Sequence, residues 1–198
     1  AERDELGRLA QRVLDDELKQ LERIARDFGE EPRRDEALYR LAFALLDRDS
    51  PDVALQHART LFAVYPASPY VAHAYLAFAD HYFKKEDIDQ AIKLYEKVIA
   101  FSNPEATPRA HYQLGKCRIV KGEHAEALQS FVDAANAGQR LGGQAGAAVR
   151  DEALVELVKE YAVAGAPEKA LAFFERVGPE RNDDLLEKLG AAYFGDGR

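Results

Sequence analysis

The chain contains a single cysteine, Cys117, and no methionine among its 198 residues. An intrachain disulfide is therefore excluded. Because Cys117 falls inside a predicted helix, we expect it to be a small buried residue and not a nucleophile. The absence of methionine, even at residue 1, suggests an excised domain or a processed protein.

Basic residues are also in the minority. The chain has 27 Lys and Arg against 35 Asp and Glu, which gives a formal net charge of −8. Nucleic-acid binding requires a basic stripe to neutralise phosphates, so we expect no nucleic-acid partner. No apolar run approaches the length of a membrane span, and no secretory signal is present, so we expect no direct membrane span.

Arrangements that carry catalysis or bind metals are missing as well. The five histidines are not placed in His-Glu-x-x-His, and no cysteine pair accompanies them. Carboxylates are frequent but alternate with lysine and arginine, as is typical of solvated helix surfaces. We therefore expect no enzyme, no cofactor and no metal site.

Small and large apolar residues instead recur in a long-range pattern. Four alanines, here called the anchor alanines, each precede apolar residues four and seven positions later: Ala54, Ala91, Ala127 and Ala170. This spacing places all three residues on one helix face, which a neighbouring helix approaches closely at the alanine. Positions sixteen, thirteen and nine residues before each anchor predict a preceding helix. They hold Leu38, Leu41 and Leu45; Tyr75, Phe78 and Tyr82; His111, Leu114 and Arg118; and Leu154, Leu157 and Tyr161.

These hairpins resemble the tetratricopeptide repeat, whose period is about 34 residues. Leu114-Gly115 and Leu189-Gly190 match its Leu-Gly step, and Pro66 stands at its terminal proline. The resemblance implies an all-α, right-handed superhelical solenoid. Residues 35–198 would form four hairpins plus a final single helix.

The N-terminal segment differs from the repeats. Apolar residues recur every three or four positions from Leu6 to Phe28, and Gly29 with Pro32 follows. This pattern predicts one long amphipathic helix over residues 1–29. We expect the helix to cap the first hairpin, while a partner-binding coiled coil is the alternative.

The anchor alanines are 37, 36 and 43 residues apart. The third spacing requires additional residues between the repeats. Residues 138–146 contain four glycines, which weaken a helix through backbone entropy. We therefore predict an irregular loop or a weakened helix end there.

In the resembling family, first helices line a concave groove. The matching positions of this chain that we select as candidate protein-binding residues are Tyr39, Phe43, Asp80, Phe83, Arg109, Tyr112 and Lys116. Aromatic rings suit an extended or helical peptide because they bury a large area, and Arg109 and Lys116 would select acidic character. Alternatively, some of these side chains only pack on neighbouring repeats or on the N-terminal helix.

A narrower resemblance rests on residues 62–69, Phe-Ala-Val-Tyr-Pro-Ala-Ser-Pro. A similar break occurs in bacterial envelope repeat proteins, including the Tol-Pal coordinator and outer-membrane assembly lipoproteins, and in the repeat proteins of myxobacterial gliding motility. By itself, Pro66 predicts a helix end and Ser68 a helix cap. The resemblance implies a periplasmic or outer-membrane associated location in preference to a cytoplasmic one.

Two functions follow as hypotheses. The first is a non-catalytic scaffold that binds a peptide or protein segment in the concave groove, within a bacterial envelope or motility complex. The second is a structural assembly element that oligomerises through its terminal helices, which would make the chain a homo-oligomer.

Overall fold

Helices account for most of the described residues in the computed structural model, which covers residues 2–27 and 33–195. Ten α-helices and two short 3₁₀ turns occur there, and those residues contain no strand. The helices are α1 (Glu2–Asp27), α2 (Arg34–Asp47), α3 (Pro51–Val64), α4 (Tyr70–Lys84), α5 (Ile88–Ala100), α6 (Thr107–Val120), α7 (His124–Leu141), α8 (Gly143–Ala164), α9 (Ala170–Val177) and α10 (Asn182–Gly195).

The turns inside the first three hairpins repeat a single backbone feature. Asp49, Glu86 and Gly122 have positive φ values of 56°, 62° and 75°, and each lies five residues before an anchor alanine. A left-handed residue ends one helix and redirects the chain into the next. Non-glycine residues pay about 1 kcal/mol for this conformation, so the tertiary packing of the hairpin must offset that cost.

The anchor alanines are buried. Ala54, Ala91 and Ala127 have no exposed surface, and Ala170 is 6% exposed. The apolar residues four and seven positions later are also buried in every case. The prediction of an all-α repeat core is therefore confirmed, since a small residue stands at each place where two helices meet closely.

Residues 138–146 do not form an irregular loop, the first of the two predicted alternatives, but the end of one helix and the start of the next. Helix α7 continues to Leu141 and α8 begins at Gly143, so only Gly142 separates them. A Cβ atom built on Gly138 would lie 2.7 Å from the carbonyl oxygen of Gly146. The extra residues lengthen two helices, and the glycines allow those helices to cross closely. Positive φ at Gly142 and Gly143, 68° and 60°, then permits the sharp reversal.

The chain divides into two compact units, residues 1–78 and 79–198, and the boundary falls within α4. In the first unit α1 packs on α2 and α2 on α3, and the core includes Leu38, Leu41 and Leu61. In the second unit successive helices from α5 to α8 pack in order, and α10 packs on α8 and α9. The core of the second unit contains Phe131, Leu154, Leu157, Phe174 and Leu185.

The N-terminal prediction falls partly on residues outside the described part of the chain: the side chains of Leu6, Leu9, Val13 and Leu14, and the predicted helix stop at Gly29 and Pro32. Leu18 and Leu21 of α1 pack against the core of the first unit. The capping role of this segment stays a prediction.

Candidate protein-binding surfaces

The predicted binding residues belong to both units. Tyr39 and Phe43 lie on α2 in the first unit. The second unit contains the other five: Asp80 and Phe83 on α4, and Arg109, Tyr112 and Lys116 on α6. Each unit therefore offers its own candidate surface.

In the first unit Tyr39 lies among other rings. It stacks on Tyr70 with 5.5 Å between centroids and 19° between planes, and its centroid is 6.2 Å from that of Phe43. Burial raises the pKa of the Tyr39 phenol, so the group is neutral at physiological pH. Phe43 is 54% exposed, which is unusual for a phenylalanine in a helix that packs on both sides.

A cavity of about 410 Å³ opens beside these two rings, between α1 and α2. Its apolar wall consists of Leu18, Leu21, Tyr39, Phe43 and Ala44. Charged side chains at its edge are Glu17, Arg40, Asp47 and Arg48. The volume falls within the range of about 300–1,000 Å³ that is common for small-molecule and side-chain pockets. The first-unit surface can therefore receive an apolar side chain.

In the second unit a lysine lies over two aromatic rings. The Nζ atom of Lys116 is 5.3 Å from the ring centroid of Phe83 and 5.9 Å from that of Tyr112. Each distance is within cation–π range. Within the described parts of the chain, no carboxylate forms an ion pair with Lys116. The ammonium group is thus held by the rings and keeps its charge available for a partner.

Arg109 is already engaged by an acidic side chain. Its guanidinium lies 5.1 Å from the Tyr112 ring centroid, and its Nη1 donates to Glu152 Oε2 at 2.8 Å. Both side chains are about half exposed, so the ion pair is weak and can exchange with another carboxylate. Of the two basic residues, Arg109 therefore has a carboxylate partner within the unit, whereas Lys116 has none among the described residues.

Asp80 makes its hydrogen bonds within the second unit. Its Oδ1 accepts from the Tyr95 hydroxyl at 2.6 Å and from Gln113 Nε2 at 3.3 Å. Burial, followed by the neighbouring Asp80 charge, raises the pKa of Tyr95, so this phenol remains a donor. Asp80 therefore links α4 to α5 and α6 by hydrogen bonds.

Two components of these surfaces were missed by the sequence patterns. The partner of Arg109 is Glu152, which is 43 residues away along the chain. The cavity wall of the first unit includes Leu18 and Leu21 from α1. No local sequence pattern signals a pair between residues this far apart, because it depends on how α6 and α8 are placed.

Arg118 occupies a place where the other repeats have an apolar residue. Its Nη1 donates to Ser130 Oγ at 2.7 Å and to the Glu126 carbonyl oxygen at 3.0 Å. Both acceptors belong to α7. The arginine therefore links the two helices of its hairpin by hydrogen bonds instead of by apolar packing.

In residues 2–27 and 33–195, no three His, Cys, Asp or Glu side chains are placed to hold a metal ion. Cys117 is fully buried. Over the same residues no helix combines the length and apolarity needed to cross a membrane.

We expect Cys117 to react with a thiol reagent at least about a hundredfold more slowly in the folded protein than in the unfolded chain. Burial raises the pKa of the thiol to about 12, and the reactive thiolate is therefore scarce at neutral pH. Stopped-flow labelling with and without guanidinium measures the ratio. Equal rates in the two states would show that Cys117 is accessible.

Comparison with known proteins supports the fold. No protein-family model matches the sequence, and no curated protein matches it. Among solved structures, the chain is similar to BtubC (BKLC) from P. vanneervenii, with a TM-score of 0.65 and 17% identity over 93% of this chain and 82% of that one. It is also similar to the nearly identical TPR-like repeats of a Podosopora anserina kinesin light chain, with a TM-score of 0.56 and 17% identity over 85% of this chain and 89% of that one.

A third similar structure is MamA, with a TM-score of 0.50 and 21% identity over 78% of this chain and 90% of that one. At such identities the likeness concerns the fold alone. Together with the buried anchor alanines and the repeated hairpin turns, it defines the class of this protein. The chain has a tetratricopeptide-like repeat fold.

Proposed function

We propose that this chain is a non-catalytic scaffold that binds a peptide or protein segment through the groove-facing side of its first helices. The observation that carries this proposal is the arrangement of Lys116 over Phe83 and Tyr112. It combines aromatic area with a cation that has no carboxylate partner among the described residues. Such a surface suits a segment that presents an apolar side chain next to an acidic one.

The first unit adds a separate apolar anchor. Its cavity of about 410 Å³ lies against Tyr39 and Phe43, and Phe43 is 54% exposed. A bacterial envelope or motility setting remains a prediction that rests on residues 62–69 alone.

An assembly function is the second candidate, and α10 favours it. Phe194 is 87% exposed, and a Cβ built on Gly190 would meet nothing within 4 Å. At the equivalent Gly115 a Cβ would lie 2.7 Å from the ring of Phe131. In the α6–α7 hairpin, α7 covers the side of α6 that carries Gly115. The side of α10 that carries Gly190 is exposed.

The groove proposal is tested with a partner purified from the native organism by affinity capture and then identified. We expect Phe83→Ala and Tyr112→Ala each to weaken its binding about 30-fold, because aromatic anchors at interfaces contribute about 2 kcal/mol or more. Lys116→Gln should mainly slow association and reduce its dependence on salt. Isothermal titration calorimetry and surface plasmon resonance provide the affinities and rates.

Two further variants separate the hypotheses. Phe43→Ala tests the first-unit surface, and Phe194→Ala tests the exposed ring of α10 on which the assembly function depends. If Phe194→Ala alone abolishes binding or dissociates an oligomer in analytical ultracentrifugation, the assembly function replaces the groove function. If Phe43→Ala, Phe83→Ala and Tyr112→Ala all bind the partner as tightly as the unsubstituted protein, the assembly function likewise replaces the groove function.

A further inference from the structure

A second cavity, about 420 Å³ in volume, lies in the second unit and is lined by neither Phe83 nor Tyr112. It is formed where the turn between α5 and α6 meets the last turns of α7. Its apolar walls are Ile99, Pro104, Pro108, Ala137 and Leu141. The volume is in the range of about 300–1,000 Å³ typical of small-molecule sites, and it is larger than the space that one water molecule requires.

Three polar side chains that line this cavity lack hydrogen-bond partners in the described residues. They are Thr107, His111 and Arg140. The Oγ1 atom of Thr107 is buried and unpaired. A buried polar group without a partner is unfavourable, so a ligand that pairs with the Thr107 hydroxyl gains binding energy.

The charges around the cavity favour an anion. Arg140 is exposed and has no ion pair with any described carboxylate, although the chain as a whole has a net charge of −8. Burial lowers the pKa of His111, and Arg140 and Arg118 act in the same direction, against the opposing charge of Asp133. His111 is therefore neutral at pH 7 and can donate one ring N–H. Asp133 does not line the cavity and already accepts a hydrogen bond from Gln129 at 3.0 Å.

We infer that this cavity binds an oxyanion carried on an apolar stem, such as an aryl phosphate or an aromatic carboxylate. The guanidinium of Arg140 pairs with the oxyanion, and the Thr107 hydroxyl and the His111 ring N–H donate to it. The stem packs between Pro104 and Pro108 on one side and Ala137 and Leu141 on the other. This site is independent of the proposed groove function, since it shares no residue with it.

The test uses the full 198-residue chain and three probes: phenyl phosphate, benzoate and inorganic phosphate. Two-dimensional NMR titrations should show saturable shifts with phenyl phosphate or benzoate, and the stronger of the two identifies the oxyanion. We expect Arg140→Gln to weaken that binding at least about tenfold, and Thr107→Val about fivefold. Arg59→Gln, which removes an exposed arginine from α3, should leave the affinity unchanged.

Three results would overturn the inference. One is the absence of saturation by both aromatic probes up to about 10 mM. Another is an Arg140→Gln affinity equal to that of the unsubstituted protein, with both melting at the same temperature. The third is inorganic phosphate binding as tightly as phenyl phosphate, which would show that the apolar walls take no part.

Discussion

Replacing Gly146 with alanine is expected to lower the free energy of unfolding of the second unit by about 3 kcal/mol, the upper end of the usual range for overpacking. A Cβ at this position would overlap the carbonyl oxygen of Gly138. That oxygen is part of the backbone of α7, so it cannot rotate away as a side-chain atom can. The overlap can therefore be relieved only if α7 and α8 move apart where they cross.

Gly190 provides a matched control for this substitution. It is an exposed helical glycine of α10, and a Cβ there would contact nothing. Gly190→Ala should raise stability by about 0.5–1 kcal/mol, since alanine loses less backbone entropy in a helix. Chemical denaturation followed by circular dichroism measures both variants. Equal stabilities for Gly146→Ala and the unsubstituted protein would show that α7 and α8 do not cross closely at Gly138 and Gly146.

Arg150→Ala is expected to cost about 2–3 kcal/mol, because this arginine is 8% exposed and makes several charged hydrogen bonds. Its Nη1 donates to Gln139 Oε1 at 3.1 Å, and its Nη2 donates to the Val177 carbonyl oxygen at 3.3 Å. Its Nε also donates to Glu180 Oε1 at 3.1 Å. One side chain on α8 thus connects the end of α7 with the turn after α9. Its removal would leave these acceptors with fewer partners and a void beneath them.

Arg181→Ala is the control for the loss of a surface arginine. Arg181 pairs with Asp151 at 2.6 Å and with Asp184 at 3.0 Å, but both carboxylates are largely solvated. Its loss should cost no more than about 1 kcal/mol, as is usual for exposed ion pairs. Equal losses of stability in Arg150→Ala and Arg181→Ala would contradict the role given to Arg150.

The Arg150 effect should also depend on pH. Hydrogen bonding from Arg150 lowers the pKa of Glu180 below its ordinary value of 4.5. The stabilisation from this pair is therefore present above pH 4.5 and is lost as the pH falls through the lower, folded-state value. Because Glu180 is half exposed, this contribution is a small part of the total. The difference in the free energy of unfolding between Arg150→Ala and the unsubstituted protein should therefore become slightly smaller in acid.

Much of the fold could be predicted from apolar spacing. The anchor alanines and the residues four and seven positions after them are buried, and so is Cys117, as a small residue within a helix should be. The candidate binding residues could be selected from the family positions, but their interactions could not. Whether Asp80 faces a ligand or accepts from Tyr95 depends on the distance between α4 and α5, which no local pattern contains.

The glycines of residues 138–146 show the limit of local reasoning most clearly. Their intrinsic effect on a helix is unfavourable, and this favoured a loop. The structure places Gly138 and Gly146 inside two helices, because the contact that only glycine allows outweighs the lost propensity. Helix propensity is a property of one segment, whereas the compensating contact requires both α7 and α8.

By itself, the sequence determined the repeat, the helical class and the buried core, since burial follows the periodicity of apolar residues along each helix. Only the tertiary structure decided which charged and polar groups pair. Arg109 with Glu152, Arg118 with Ser130 and Arg150 with Glu180 are separated by 43, 12 and 30 residues. These pairs depend on the spacing and rotation of neighbouring helices to within an ångström or so, because a hydrogen bond weakens steeply with distance and angle. Apolar packing tolerates such differences, and a sequence pattern can therefore predict the core more readily than the binding surface.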